Sequence, residues 1–502
     1  MNPILLIHGY SAESPNADPA SVKGIYANQS TNTNLPDDLR QIYQVVEIDL
    51  SRYISLNDSV SLNDISRALD RALRQDYPSL LQTGFNVIIH STGALVIRNW
   101  VRLFSPKPSP IINLIHLAGA NFGSGWASIG QGQIARWGRF VFQDGAQRGV
   151  KVLQALELGS SDTIDLHLQL TQVGSRMLED YGVQEYVIIG TQADPSWFEF
   201  PIRYAKEDGS DGTVRVSGGN LNFNYLSIVP NIDPQSLRWQ EVQLAVANAS
   251  QRAAFPSYYK IGRLSRPYYD RAEIPFAIPF ECAHSGDTRG IVAGTQPKAQ
   301  VQRLIQMALN TPRSSPALWA AHVNDFHNET TNTYNSARTL ANPGIFKYLT
   351  EPRRQYDPHA QIIFRLRDQD DQPVPIANAD IFFVSDQQTQ GALPVQSLIE
   401  DTVVNDLTDN CMTFYLRVGS FNPASSPPDW EYQLGKVGNF AFEITAIDPR
   451  TNPDSPSVLY LPIRIPLTPD DLADFIQAHR TTIVDVQLLR VPSPAVYTIV
   501  PG

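Results

Sequence analysis

The sequence predicts an α/β fold with a mainly parallel sheet, followed by a separate C-terminal domain that is all-β and sandwich-like. The chain has 502 residues, and since single hydrophobic cores stop growing at roughly 250–300 residues, two domains are expected. The first part alternates short apolar runs with amphipathic segments, the pattern of parallel strands joined by crossover helices. After about Pro352, strand-like runs and turn-rich stretches dominate.

The first predicted domain, residues 1–352, owes its parallel sheet to five apolar runs. They are residues 3–7, 45–50, 85–89, 111–117 and 186–189. Between them, Ile65, Leu69 and Leu73 recur every fourth residue, and residues 92–104 keep their large apolar side chains near one face. This spacing predicts helices that cover both faces of the sheet.

The second predicted domain, residues 358–502, contains five further strand-like runs. They are residues 361–366, 380–384, 413–418, 440–447 and 458–465. Turn-rich stretches, including residues 368–373 and 425–428, separate the runs, as in a β-sandwich. Residues 351–358 are the predicted linker.

Charge and composition exclude several classes of function. A net charge of −11 without a cluster of Lys and Arg argues against a nucleic-acid partner. The two cysteines, Cys282 and Cys411, fall in different predicted domains, so neither a disulfide framework nor a metal site is expected. The N-terminus has no basic region, and no apolar run approaches the ~20 residues that span a bilayer. We therefore expect neither a signal peptide nor a transmembrane helix, and a location in the cytoplasm or peripherally at a membrane.

A candidate nucleophile, Ser91, lies where a predicted buried strand meets a predicted helix, in the string Ile-His-Ser-Thr-Gly at residues 89–93. A sharp turn there would expose the serine hydroxyl above the sheet. Ile89 stands where such turns usually have their first glycine, so Gly93 and the small Ala94 must provide the room. The alternative role for Ser91 is that of a helix N-cap.

The first predicted strand runs directly into His8 and Gly9. In hydrolases whose serine lies on a strand-to-helix turn, a loop of this kind supplies one donor to the oxyanion hole. The hole would combine the backbone N–H groups of Tyr10 and Thr92. Since backbone donors suffice, a structural role is expected for His8.

The predicted acid is Asp211, which lies in the Gly-rich turn at residues 208–215. Its flanking Gly and Thr suit a loop that presents a carboxylate to an imidazole. Asp208, earlier in the turn, and Asp194, just after a predicted strand, are the alternatives. An aspartate in such a turn can also serve only to close it.

The predicted base is His284, which follows the apolar run at residues 276–282. His322 and His327, in a predicted helical segment, remain alternatives. His90 adjoins the nucleophile and is expected to point away from it.

Ser91, Asp211 and His284 follow the chain order nucleophile, acid, histidine that characterises the α/β-hydrolase fold. His284 would take the proton of Ser91, Asp211 would hold the imidazole, and an acyl-enzyme would form. The sequence therefore predicts a hydrolase of carboxylic esters.

Three strings together resemble one group of these enzymes, the PlaB-like bacterial phospholipases A and lysophospholipases. They are His-Ser-Thr-Gly at residues 90–93, Ser-Asp-Gly-Thr-Val-Arg at residues 210–215 and His-Ser-Gly-Asp at residues 284–287. The resemblance implies release of fatty acids from glycerophospholipids and lysophospholipids, without a metal or dissociable cofactor. It also implies peripheral membrane contact without a cleaved signal, and self-association into homo-oligomers.

Residues 121–149, from Asn121 to Gly149, are rich in glycine and aromatic side chains. They suit a lid or a wall for an acyl chain, and equally an ordinary packed crossover. Two other functions stay open: another serine carboxylic-ester hydrolase or acyltransferase with the same triad, and a non-catalytic fold used for binding. For the C-terminal domain, docking, oligomer formation and a purely structural role are the alternatives.

Overall fold

The structure is a computed structural model. It describes residues 2–7, 26–28, 30–31, 33–48, 50, 53–54, 60–125, 158–193, 207–232, 238–247, 259–263, 273–340, 352–385, 391–405, 408–448 and 457–496.

The described strands are, in chain order, β1 (Ile4–Ile7), β2 (Ala27–Asn28), β3 (Thr33–Asn34), β4 (Val45–Glu47), β5 (Phe85–His90), β6 (Ile111–Leu117), β7 (Gln184–Ile188), β8 (Asn224–Pro230), β9 (Tyr259–Arg263), β10 (Phe276–Ala277), β11 (His359–Asp368), β12 (Ala379–Ser385), β13 (Ile399–Val404), β14 (Cys411–Arg417), β15 (Gly419–Asn422), β16 (Asp429–Tyr432), β17 (Phe440–Ala446), β18 (Val458–Tyr460), β19 (Ile463–Leu467), β20 (Thr481–Leu488) and β21 (Arg490–Pro492). The described α-helices are α1 (Leu35–Arg40), α2 (Leu62–Gln75), α3 (Pro78–Thr83), α4 (Gly93–Phe104), α5 (Ser161–Gln169), α6 (Val216–Gly219), α7 (Trp239–Ala247), α8 (Lys298–Leu309), α9 (Pro316–Arg338) and α10 (Pro469–Phe475).

The chain divides into two compact units. The first contains residues Met1–Asn222, Tyr268–Asp357 and Phe421–Asp429, and the second contains Phe223–Pro267, Pro358–Ser420 and Trp430–Gly502. Phe223–Pro267, which precedes the predicted boundary, thus belongs to the second unit, because β8 pairs with β20. The predicted linker forms a 3₁₀-helix at Pro352–Tyr356.

The first unit is built on a six-stranded sheet in the order β10-β7-β6-β5-β1-β4. Every neighbouring pair in it is parallel. In β1, Leu5 and Ile7 belong to one apolar cluster and Ile4 and Leu6 to another. Helices α2 and α4 contribute to the first cluster, and α8 and α9 to the second. The sheet is therefore covered on both faces, which explains why its strands are continuous apolar runs.

The local sequence determines where helix α2 begins. The Ser61 side chain accepts a hydrogen bond from the Asp64 amide, and the Asp64 carboxylate accepts one from the Ser61 amide. This capping box satisfies amides at the helix start that have no partner within the helix. Ile65, Leu69 and Leu73, at the predicted spacing, are buried.

One charged cluster is enclosed in the core of the first unit. Arg98 of α4 forms an ion pair with Glu185 of β7, and the His116 Nε2 atom of β6 lies 3.2 Å from the same carboxylate oxygen. The three side chains are at most 4% exposed. Burial alone would raise the pKa of Glu185, but Arg98 and His116 lower that pKa to about 2. The carboxylate therefore stays ionised inside the core.

The second unit contains a six-stranded sheet, β13-β14-β11-β20-β8-β9, and a three-stranded antiparallel sheet, β12-β17-β19. Phe364 and Phe414 of the larger sheet meet Phe383 and Phe442 of the smaller sheet, with ring centroids 4.9–6.0 Å apart. Two sheets packed on a shared aromatic core agree with the predicted sandwich. The pairs β11–β20 and β20–β8 are parallel, and the unit also contains helices α7 and α10, features that were not predicted.

The predicted fold class, an α/β unit with a mainly parallel sheet plus a β-rich unit, is confirmed. Within the described part of the chain, none of the helices combines the length and apolar character needed to cross a bilayer.

Candidate active site

Ser91 follows β5, a fully buried strand near the middle of the parallel sheet, and precedes α4. Its φ of 54° lies in the left-handed region that residues with side chains rarely adopt. Such backbone strain costs on the order of 1–3 kcal/mol and concentrates at functional turns. The Ser91 amide donates to the Leu117 carbonyl at 3.1 Å, which helps to hold the turn against β6.

The loop that follows β6 packs closely on this turn. The Ala120 amide donates to the Ser91 carbonyl at 3.2 Å. A Cβ atom added to Gly119 would lie 3.1 Å from the Ala94 Cβ atom. The room for the turn is thus provided partly by Gly119, which sequence reasoning missed, as well as by the small Ala94.

Asp211 lies in a tight turn after β7. Its amide donates to the Val214 carbonyl at 3.1 Å, and its Oδ1 atom accepts from the amides of Thr213 and Val214 at 2.9 and 2.7 Å. Gly212 has a φ of 89°, which explains the glycine after the aspartate. Asp211 is 1% exposed, and its second carboxylate oxygen lies 2.9 Å from His284 Nδ1.

A buried ion pair holds the base of this turn. Arg215 donates through Nε and Nη2 to the two carboxylate oxygens of Glu207 at 3.0 and 2.7 Å. The Arg215 side chain is 1% exposed. The arginine of the Ser-Asp-Gly-Thr-Val-Arg string therefore anchors the acid turn, and sequence reasoning missed its partner Glu207.

His284 brings the three predicted side chains together. Its Nδ1 atom lies 2.9 Å from Asp211 Oδ2, and its Nε2 atom lies 3.2 Å from Ser91 Oγ. The His284 amide also donates to the Asp211 carbonyl at 2.9 Å. His284 is 3% exposed. The arrangement can pass a proton from a serine hydroxyl to an imidazole whose other nitrogen faces a carboxylate.

The loop around His284 is anchored at both ends. A Cβ atom on Gly190, just after β7, would lie 2.1 Å from the Cys282 carbonyl oxygen, so only glycine allows this approach. On the other side, the Asp287 carboxylate accepts from the amide and hydroxyl of Ser30 at 2.8 and 2.5 Å. The aspartate of the His-Ser-Gly-Asp string thus ties the histidine loop to an early segment of the chain.

The neighbouring thiol of Cys282 is buried. Burial, together with the negative charge of Asp211, raises the pKa of Cys282 well above its ordinary value. A thiol held in its neutral form is a weak nucleophile.

The alternative histidines have other surroundings. His322 bonds to Asp325 at 2.9 Å and to Thr311 at 3.1 Å, and His327 is exposed on α9. Asp208 precedes the bridge between Ser210 and Arg215 that closes the acid turn. Asp194 lies outside the described residues.

Of the two predicted oxyanion donors, Thr92 is described and Tyr10 lies outside the described residues, as do His8 and Gly9. Thr92 directly follows Ser91 and is the N-cap of the twelve-residue helix α4. A helix N-terminus carries partial positive charge.

The predicted lid or acyl wall, residues 121–149, is described only up to Gly125. Asn121 donates through Nδ2 to the Gly219 carbonyl at 2.7 Å, and Ser124 donates through Oγ to the Thr213 carbonyl at 2.5 Å. The start of this segment is therefore bonded to the acid turn.

His90 contacts the site in a way that was not predicted. Its Nε2 atom lies 3.1 Å from the His284 carbonyl oxygen, and the two imidazole ring centroids are 4.7 Å apart. The alternation of side chains along β5 could have shown which face of the sheet His90 joins, but the partner is distant in sequence.

The whole chain is similar to solved structures of a bacterial phospholipase. Neither a protein-family model nor a curated protein sequence matches the chain. Among solved structures, phospholipase PlaB from Legionella pneumophila is similar, with a TM-score of 0.74 and 23% identity over 100% of this chain and 96% of that chain. PlaB from the same organism in complex with thio-NAD has a TM-score of 0.69 and 22% identity, again over 100% and 96% of the two chains.

This similarity extends over both units. The resemblance to the PlaB-like enzymes that the three short strings indicated is therefore confirmed over the whole length of the chain, and the chain has the fold of that phospholipase.

Proposed function

We propose that the chain is a serine hydrolase that releases fatty acids from glycerophospholipids and lysophospholipids through an acyl-enzyme on Ser91. The observation that carries the proposal is the pair of contacts from His284, at 3.2 Å to Ser91 Oγ and 2.9 Å to Asp211 Oδ2. The backbone strain at Ser91 adds support, because strained nucleophile turns are typical of this fold.

In the proposed first half-reaction, His284 Nε2 takes the hydroxyl proton as Ser91 Oγ attacks the ester carbonyl carbon. The tetrahedral intermediate collapses, the bond to the alcohol oxygen breaks, and His284 gives its proton to that oxygen. In the second half-reaction, water loses a proton to His284 and attacks the acyl-enzyme. The fatty acid leaves, and Ser91 recovers its proton.

Asp211 has two proposed roles in these steps. Its Oδ2 atom keeps the imidazole proton on Nδ1, so that Nε2 faces the nucleophile as an acceptor. Its charge stabilises the imidazolium that forms in each half-reaction. The two amide bonds to Oδ1 hold the carboxylate in place without competing for Oδ2.

The amide of Thr92, at the start of α4, is proposed as one donor to the oxyanion, and that of Tyr10 as the other. Donors of this kind typically contribute about 3–4 kcal/mol to the transition state.

The substrate class is the part of the proposal that the similar structures support by analogy. Both carry the name phospholipase. Because long-chain phospholipids reside in bilayers, the proposal includes peripheral contact with a membrane surface. Self-association and the domain assignment of residues 1–352 and 358–502 stay predictions.

The test is fatty-acid release from vesicles of diacyl and of lysophospholipids, with a short-chain soluble ester assayed in parallel. Ser91→Ala should lose about 10⁶-fold in kcat, since a triad without its nucleophile retains only binding and oxyanion stabilisation. The matched control is Ser336→Ala on α9, which removes only a bond to the Asn332 carbonyl. It should keep full activity.

Two other outcomes would decide against parts of the proposal. Activity on the soluble ester alone would keep the triad and exclude the phospholipase assignment. Unchanged activity of folded Ser91→Ala would exclude Ser91 as the nucleophile.

A further inference from the structure

His90 occupies a buried position between the nucleophile and the base. It is the last residue of β5, directly before Ser91, and it is 6% exposed. Its ring lies 4.7 Å from the ring of His284, at an interplanar angle of 42°, and 6.5 Å from the ring of Tyr26 in an edge-on arrangement. The two flanking rings restrict how the His90 imidazole can turn.

We infer that His90 is a positioning residue that fixes the backbone of His284, so that the His284 ring keeps its orientation between Asp211 and Ser91. The contact that carries this inference is the 3.1 Å approach of His90 Nε2 to the His284 carbonyl oxygen. A carbonyl oxygen only accepts hydrogen bonds, so the proton of the bond must sit on His90 Nε2. His90 is therefore a donor in this contact.

The hydrogen bond from His90 adds a fourth polar contact to the three that His284 makes with Asp211 and Ser91. The His284 amide donates to the Asp211 carbonyl, Nδ1 faces the Asp211 carboxylate, and Nε2 faces Ser91. After these three contacts, the carbonyl group is the remaining polar group of His284. Its position defines the plane of the peptide that follows. His90, which belongs to the sheet, donates a hydrogen bond to that carbonyl oxygen.

The position of His90 at the end of β5 makes this contact rigid. Because it ends a strand that pairs with both β1 and β6, its backbone belongs to the rigid centre of the sheet. His284, by contrast, lies on a loop after β10. A hydrogen bond from the sheet to the loop therefore limits how far His284 can move. Displacements of about 1 Å in catalytic groups can cost on the order of 100-fold in rate.

The inference rests on the proposed function, so its test uses a reaction that needs the serine–histidine pair but no phospholipid. The measurement is the second-order rate constant for inactivation by a small fluorophosphonate, which reacts with an activated serine hydroxyl. Wild type and Ser91→Ala establish that labelling reports Ser91. If the wild type is not labelled, the proposed function fails, and the role of His90 with it.

His90→Phe keeps an aromatic ring but removes the donor, and we expect it to react about 10- to 100-fold more slowly. His90→Gln carries an amide nitrogen at the distance of Nε2, and it should recover the rate to within a few-fold of the wild type. With a short-chain soluble ester, kcat should fall in His90→Phe while KM stays unchanged. The control is His322→Gln, which replaces a buried histidine bonded to Asp325 and Thr311 and should react as the wild type does.

Equal rates for the wild type and folded His90→Phe would overturn the inference. So would a His90→Gln variant as slow as His90→Phe, because the ring rather than the donor would then be what matters. If His90→Phe does not fold, His90→Asn takes its place. Its amide is too short to reach the carbonyl, so it should be as slow as expected for His90→Phe.

Discussion

In the first unit, helices cover both faces of a parallel sheet, and Arg98, His116 and Glu185 enclose a charge in the core. In the second unit, two sheets face each other across phenylalanine rings arranged edge to face. The ion pair of a histidine with a carboxylate responds to pH, whereas contacts between phenylalanine rings involve no titratable group. The unit with the candidate site thus encloses a charged cluster completely, whereas in the ion pair of Arg365 with Asp485 in the second unit the aspartate is 18% exposed.

The parallel sheet has a further property that the second unit lacks. All six of its strands run the same way, so the loops after β5, β7 and β10 leave from one edge. Those loops carry Ser91, Asp211 and His284. A site assembled from distant parts of the chain is therefore a consequence of strand direction.

Arg98→Met is expected to have the largest effect on the stability of the first unit. It leaves the Glu185 carboxylate buried without its main counter-charge, at a cost of about 3–5 kcal/mol in the free energy of unfolding. The measurement is the urea unfolding midpoint of the variant. Adding Glu185→Leu should restore most of the loss, since an apolar pair of similar volume needs no counter-charge. A double variant as unstable as the single one would show that packing around Arg98, rather than charge, is what matters.

An intermediate effect is expected from acid. The pKa of His116 is lowered by burial from 6.5, and that of Glu185 is lowered to about 2 from 4.5. In both cases the unfolded chain binds protons that the folded unit does not. The free energy of unfolding therefore decreases as the pH decreases. The loss begins near pH 6.5 through His116 and deepens from about pH 4.5 toward pH 2 through Glu185, with at most about 1.4 kcal/mol per pH unit for each proton.

Hydrogen exchange of peptides from β6 and β7, measured between pH 7 and pH 3 after correction for the intrinsic rate, would follow this loss. In Glu185→Gln the stage below pH 4.5 should disappear while the stage near pH 6.5 persists. A variant with the full acid response of the wild type would exclude Glu185 as its source.

The smallest effects come from one change made in each unit. Gly190→Ala places a methyl group on the Cys282 carbonyl, which should destabilise the first unit by about 1–3 kcal/mol and slow the reaction of Ser91. Gly435→Ala in the second unit meets no atom within 4 Å and should stay within about 0.5 kcal/mol of the wild type. Thermal unfolding and the fluorophosphonate rate would measure both. Equal behaviour of the two variants would contradict the close approach at Gly190.

Much of the first unit could be predicted from the sequence. Strands β1, β5 and β6 agree with the predicted runs to within one residue, because a strand buried on both faces has to be apolar throughout. Ser91 and His284 were named because each follows an apolar run, and Asp211 because it lies in a Gly-rich turn between them, in the chain order that the fold requires. Their supports, Glu207 and His90, were missed, since a contact between distant residues leaves no local pattern.

The second unit was harder to predict for physical reasons. Strand β20 carries Asp485, whose charge is matched by Arg365 and whose Oδ2 accepts from the Tyr225 hydroxyl, so its sequence does not look like a buried strand. The run at residues 458–465 was predicted as one strand, but Pro462, which has no amide proton, separates β18 from β19. Neither the insertion of β8 nor the parallel pairing with β20 is visible in local periodicity.

The place of β8 beside β20 matters for how the protein is made on the ribosome. Asn224 pairs with Thr482, so β8 leaves the exit tunnel long before its neighbour is translated. Until then, the edge of β8 that faces away from β9 has no strand to pair with, and unpaired edges are sites of aggregation. The six-stranded sheet of the second unit can therefore close around β8 only after residues 481–488 have been translated. A nascent chain stalled before Thr481 would be a natural client for chaperones that shield exposed strands.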